Sequence, residues 1–125
     1  MGKKSLIGLL LLLLLIGCST KATFTPEMEV EKLLQNYLKA LENNDLSTLV
    51  KLSDDIRFPD KKEQMKEYLD INSEISETRI IGISAISPTE FEATISVVDV
   101  DGELELKFPV KKEKNKWKLI VGQSF

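Results

Sequence analysis

The apolar residues of this chain change their spacing once, after Ser73, and that change limits the fold more than any other feature. Before it, Val30, Leu33, Leu34, Tyr37, Leu38 and Leu41 recur at the three-and-four spacing that lines one face of a helix. After it, Leu104, Leu106, Phe108 and Val110 alternate with Glu103, Glu105 and Lys107, the period of a strand with one buried face. Helices first and strands second is the order of an α+β layer design.

Local signals place the elements. Thr25-Pro26-Glu27 starts the first helix with a cap residue, a proline at the first helical position and an acid near the positive dipole end. Asn43-Asn44-Asp45 stops it and caps a second, shorter helix carrying Leu46, Leu49, Val50 and Leu52, which Ser53-Asp54-Asp55 ends. Ile56 to Pro59 reads as a short extended piece, and Asp60 with Glu63 starts a third helix with Met65, Tyr68, Leu69 and Ile71. Four strands follow: 78–86, 90–100, 103–110, and one carrying Trp117, Leu119 and Val121. Ser87-Pro88-Thr89, Asp101-Gly102 and Lys114-Asn115 turn them. The expectation is a four-stranded antiparallel meander with the first helix packed across it. The inward face reads Phe91, Ala93, Ile95, Val97, Leu104, Leu106, Phe108, Val110, Trp117, Leu119 and Val121.

The chain opens differently. Lys3-Lys4 precedes an apolar run from Leu6 to Ile16 that ends in Leu15-Ile16-Gly17-Cys18. As a helix that run would be roughly 16 Å long, against about 30 Å of hydrocarbon, so it is too short to span a bilayer. The arrangement resembles a bacterial lipoprotein signal, cut between Gly17 and Cys18 once the thiol has been alkylated. The resemblance implies that residues 1–17 are a signal peptide, that 18–25 are the lipidated cysteine and a short linker, and that 26–125 form one domain. A diacylglyceryl anchor on Cys18 would hold that domain at the extracytoplasmic face of a membrane, because two acyl chains hold where one only visits. The linker reaches at most roughly 23 Å.

Composition removes several chemistries. Taking Lys3 and Lys4 from the 17 basic residues leaves 15 against 20 acids, an acidic domain ill suited to nucleic acid. Cys18 is the single cysteine, so no disulfide staples the fold, and the chain has no histidine. Histidine-based triads, histidine general bases and the usual zinc sites are excluded together. Asp99 to Glu103 has the look of a calcium loop but lacks its length and third oxygen ligand, and Asp101-Gly102 is accounted for as a turn. No cofactor or metal is expected.

The run Val30-x-x-Leu33-Leu34-x-x-Tyr37-Leu38-x-Ala40-Leu41-Glu42-Asn43-Asn44-Asp45-Leu46, followed by helices and strands, resembles the NTF2-like, cystatin-like superfamily. Small bacterial lipoproteins of unknown function carry such domains. The resemblance implies a cone between sheet and first helix, with Tyr37, Phe91, Phe108 and Trp117 as candidate pocket lining. Enzymes of the superfamily use a carboxylate with tyrosines there, and Asp99, Tyr37 and Tyr68 are the candidates for such a set. Lys111, Lys112, Lys114, Lys116 and Lys118 make the last hairpin basic, a candidate surface patch. The expected function is a non-catalytic envelope lipoprotein that binds another envelope protein, in one version as an immunity or exclusion factor against a conjugation or secretion machine. The alternative is a carrier of a small apolar ligand in the cone.

Overall fold

A computed structural model describes residues 24–70 and 74–123; the expected signal, Gly17, Cys18 and Ile71 lie outside them. Three helices and five strands follow one another: α1 (Pro26–Glu42), α2 (Leu46–Leu52), β1 (Ser53–Asp55), α3 (Lys61–Leu69), β2 (Glu77–Ser87), β3 (Glu90–Asp99), β4 (Gly102–Glu113) and β5 (Lys116–Val121). Among the described residues no helix is long and apolar enough to cross a membrane.

The helix starts form as their caps dictate. The Thr25 hydroxyl accepts from the Met28 amide at 3.2 Å, one of the donors that the first turn of α1 leaves without a partner. Asp45 does the same for α2, accepting from the Thr48 amide at 3.2 Å and its hydroxyl at 2.7 Å. At α3 the Asp60 carboxylate accepts from the Lys62 amide at 2.9 Å, so the cap closes on Lys62 instead of pairing with Glu63. The buried face of α3 is Gln64 and Tyr68; Leu69, expected inside, is exposed.

The sheet corrects the expectation of four antiparallel strands. Its order is β1-β5-β4-β3-β2, and β1 runs parallel to β5, from Ser53 beside Leu119 to Asp55 beside Val121. The extended piece is therefore Ser53–Asp55, and Ile56-Arg57 is a turn. This strand has no apolar alternation to announce it, because its inward residues are polar and their burial is offset by hydrogen bonds. The Ser53 hydroxyl donates to Leu49 O at 2.6 Å and accepts from Gln64 Nε2 at 3.1 Å, and both residues are fully buried.

The other four strands form the expected meander. Two register shifts in β2, between Ile80 and Gly82 and between Ala85 and Ser87, bend its pairing with β3. Leu34 of α1, Ile95 of β3, Val110 of β4 and Leu119 of β5 are fully buried where helix and sheet meet. A fully buried side chain of this kind contributes about 1.5–3 kcal/mol relative to exposure. The inward face departs from expectation at one place: Leu104 is 53% exposed. β4 outruns its neighbour, since the β4–β5 ladder covers only Val110 to Glu113, whereas the β3–β4 ladder continues to Gly102.

Candidate functional site

Two arrangements of polar side chains stand out, one sealed and one open. The sealed one is centred on Asp55, which is 2% exposed at the end of β1. Its Oδ1 accepts from the Arg57 amide at 3.0 Å and Nε at 2.9 Å; its Oδ2 accepts from Arg57 Nη2 and from the Tyr68 hydroxyl, both at 2.7 Å. The Arg57 hydrogen bonds outweigh the opposing effect of burial, and with Tyr68 they hold the Asp55 carboxyl down at about 2. Burial and the bond to Asp55 push the Tyr68 hydroxyl up, and burial does the same to Tyr37 nearby. Gly122, at φ +90°, lets the backbone pass against this pair: a Cβ there would run into Asp55 Oδ1 and lie 3.0 Å from Arg57 Nε. A carboxylate with both oxygens doubly occupied and a depressed pKa is a poor general base. It works as a clasp between β1, α3 and the exit of β5.

Beside it, Lys61 joins α2, β1 and α3. Its Nζ donates to Val50 O at 3.1 Å, to Ser53 O and to Asp54 Oδ1 at 2.9 Å. Asp54 also meets Lys118 at 3.6 Å. Partial burial raises the Asp54 carboxyl, but the two lysines outweigh it and leave it below the ordinary value.

The open arrangement is a groove of about 730 Å3 between the start of α1, the end of α2 and the β4–β5 hairpin. From α1, Glu29, Lys32, Leu33 and Asn36 line it at i, i+3, i+4 and i+7, a single helix face. Lys51 and Leu52 come from α2, and Asn115 to Lys118 from the hairpin, where Lys114 and Asn115 both take positive φ (51° and 65°) to make a tight turn. Trp117 fixes the geometry. Its Nε1 donates to Glu29 Oε2 at 3.0 Å, and its ring meets Phe91 edge to face at 5.4 Å. Lys112 Nζ lies 5.7 Å from the ring centre, a cation–π distance. Phe24, 60% exposed, completes the rim. The groove thus has an apolar floor and four lysines, with one carboxylate already held by an indole. Lys118 is shared with Asp54; among the described residues Lys32, Lys51 and Lys116 are in no ion pair.

No protein-family model matches the chain, and no curated protein matches it. Solved structures do. A DUF4783 family protein from Bacteroides ovatus ATCC 8483 is 10% identical, with a TM-score of 0.54 over 68% of this chain and 86% of that one. A second DUF4783 family protein, from Bacteroides fragilis YCH46, is 7% identical, with a TM-score of 0.53 over 68% and 90%. An NTF2-like protein of unknown function from Shewanella oneidensis MR-1 is 14% identical, with a TM-score of 0.49 over 77% and 96%. The likeness is one of fold. At these identities it assigns no activity.

The candidates named from sequence separate in space. Tyr37 and Phe91 are core residues, Phe108 packs against that core half-buried, and Trp117 alone of the four reaches the groove. Asp99 serves the β3–β4 turn, its Oδ1 accepting from the Asp101 amide at 2.8 Å, and does not join the tyrosines. The acid that does is Asp55, which the sequence offers only as part of a helix stop. The alternation of Ser53 inward, Asp54 outward and Asp55 inward was its one signal, and three residues are too few to read. Of the basic hairpin, Lys116 and Lys118 line the groove, Lys112 covers Trp117, and Lys111 is the cross-strand partner of Lys118. Lys114 belongs to the turn. Lys32 and Lys51, far away in sequence, complete the set.

Proposed function

We propose that this protein is a lipoprotein held to the extracytoplasmic face of a membrane through diacylglyceryl-Cys18, and that its non-catalytic domain binds another protein of the envelope. One observation carries the binding reading: the half of β4 that outruns β5. Gly102 to Phe108 pair with β3 on one side and, among the described residues, with no strand on the other. An open edge offers unpaired backbone groups to a partner chain. Leu104 stands on it 53% exposed, and Val100, 82% exposed, occupies the adjoining turn, where it makes no use of its apolar side chain within this chain. The saturated Asp55 clasp weighs against catalysis. Side chains fill the space between α1 and the sheet, which weighs against an apolar ligand carried there. A domain that blocks an envelope machine, as an immunity or exclusion factor does, needs only such a contact and an anchor.

A photoreactive side chain at Leu104 or Val100 in growing cells is expected to yield one discrete adduct with a membrane protein. The same probe at Lys39, on the exposed face of α1, is expected to yield none. Leu104→Asp should abolish the adduct. The reading is lost if neither edge position gives an adduct, or if Lys39 gives the same one.

A further inference from the structure

We infer that the groove seats the domain on the anionic lipid surface of its own membrane, with headgroup phosphodiesters lying against Lys32, Lys51 and Lys116, Phe24 at headgroup level and the buried Trp117 beneath them. The inference rests on the anchored reading of Cys18 but concerns the opposite end of β4 from the partner-binding edge.

Three features of the groove converge on this occupant. Reach comes first. Phe24 lies on the groove rim, six positions on from Cys18, a span of about 20 Å when fully extended. A lipidated Cys18 keeps the groove that close to the headgroups. Charge comes second. Four lysines from α1, α2 and β5 converge on one opening in a chain whose net charge is −3, and the one acid among the lining residues, Glu29, is held by the Trp117 indole. Lysine is a compact, strongly hydrated point charge that suits a phosphate which need not be gripped in a fixed orientation. Surface chemistry comes third. An exposed phenylalanine beside lysines suits a bilayer interface, with the apolar ring inward and the ammonium groups toward phosphate; Trp117, largely buried, forms the floor beneath them.

An acidic segment of a protein would also satisfy the charge, but it explains neither the position beside the linker nor the exposed Phe24. Docking at this end fixes the orientation of the domain. β4 runs from the groove hairpin to the β3–β4 turn, so a docked groove turns Leu104 and Val100 away from the lipid.

Trp117 is the single tryptophan of the sequence, so its fluorescence reports the groove without a label. The chain purified from cells is reconstituted in phosphatidylcholine vesicles with and without phosphatidylglycerol, each carrying a headgroup nitroxide quencher. Quenching of Trp117 is expected where phosphatidylglycerol is present, to be relieved by high salt, and to be weak in phosphatidylcholine alone. Lys32→Gln with Lys116→Gln should reduce quenching to the phosphatidylcholine level while the melting temperature holds. The phosphatidylglycerol-dependent affinity should fall about fivefold for each lysine removed.

Equal quenching in both vesicles, or quenching unmoved by the two substitutions, overturns the inference. So does stronger shielding of Trp117 by a soluble polyglutamate peptide than by phosphatidylglycerol, which would give the groove to an acidic protein segment. The mass of the purified chain reports Cys18 acylation independently, and crosslinking from Leu104 reports the partner. A failure of the anchored, partner-binding reading is therefore told apart from a failure of the groove.

Discussion

The two hairpins that β4 shares are built on opposite plans. At the β4–β5 turn the strand ends against the core: Trp117 is 8% exposed, packed edge to face with Phe91 and bonded to Glu29, and lysines surround it. At the β3–β4 turn it leaves the core behind. Val100 and Leu104 face solvent among Asp99, Asp101, Glu103 and Glu105, and the turn is held by the Asp99 carboxylate and by Gly102 at φ +124°. One strand therefore carries a rigid, basic, aromatic end and a projecting, acidic, aliphatic one. An end tied to the core can orient the domain; an end free of it can be altered without unfolding anything.

The largest expected effect breaks that contrast if it is absent. Trp117→Ala removes the edge-to-face contact with Phe91 and the Glu29 bond and leaves a cavity. It should destabilise by about 3–5 kcal/mol in denaturant unfolding, against less than about 0.5 kcal/mol for Val100→Ala. Equal effects would mean that the two ends are not built differently.

The next test moves to the far end of β5, which unlike the β3–β4 tip is pinned. Gly122→Ala adds a Cβ against Asp55 at a positive φ, and a loss of about 2–4 kcal/mol is expected in the same measurement.

Acid should loosen that pinned corner. The Asp55 carboxyl lies at about 2 in the folded chain against 3.8 ordinarily. The unfolded state therefore binds the proton more readily, and the stabilisation is complete above the ordinary value and is lost as pH falls from 3.8 toward 2. The clasp should contribute about 2 kcal/mol at neutral pH, and Asp55→Asn should flatten this limb of a stability–pH curve.

The smallest effect sharpens the comparison of turns. Lys114 holds φ +51° where Gly102 already serves the other hairpin, so Lys114→Gly should raise stability by about 0.5 kcal/mol in thermal unfolding. A loss would show that the lysine side chain contributes more than its backbone strain costs.

Legibility in the sequence followed the source of stability. α1 was legible because its cap, its proline and its apolar stripe agree, and the β3–β4 hairpin because Asp101-Gly102 sits between alternating runs. β1 was not, because Ser53 and Asp55 are buried through hydrogen bonds and carry no apolar signal. Leu104 was misplaced for the opposite reason: its alternation is sound, but strand length relative to β5 and the helices decides whether an inward residue is covered. Only part of the candidate groove was visible. The hairpin lysines were, but Lys32 and Lys51 join them through helix packing that spacing cannot encode.

The parallel pair of β1 with β5 also sets an order of events during folding. Ser53 and Leu119 lie roughly 65 positions apart, whereas each rung of the meander closes a shorter loop, and long loops cost more entropy to close. The meander and the capped helices can form from local contacts alone. The edge that holds Asp55 needs both halves of the chain to have met, as does the Trp117–Glu29 bond, so these long-range contacts are what join the hairpins and helices into one unit.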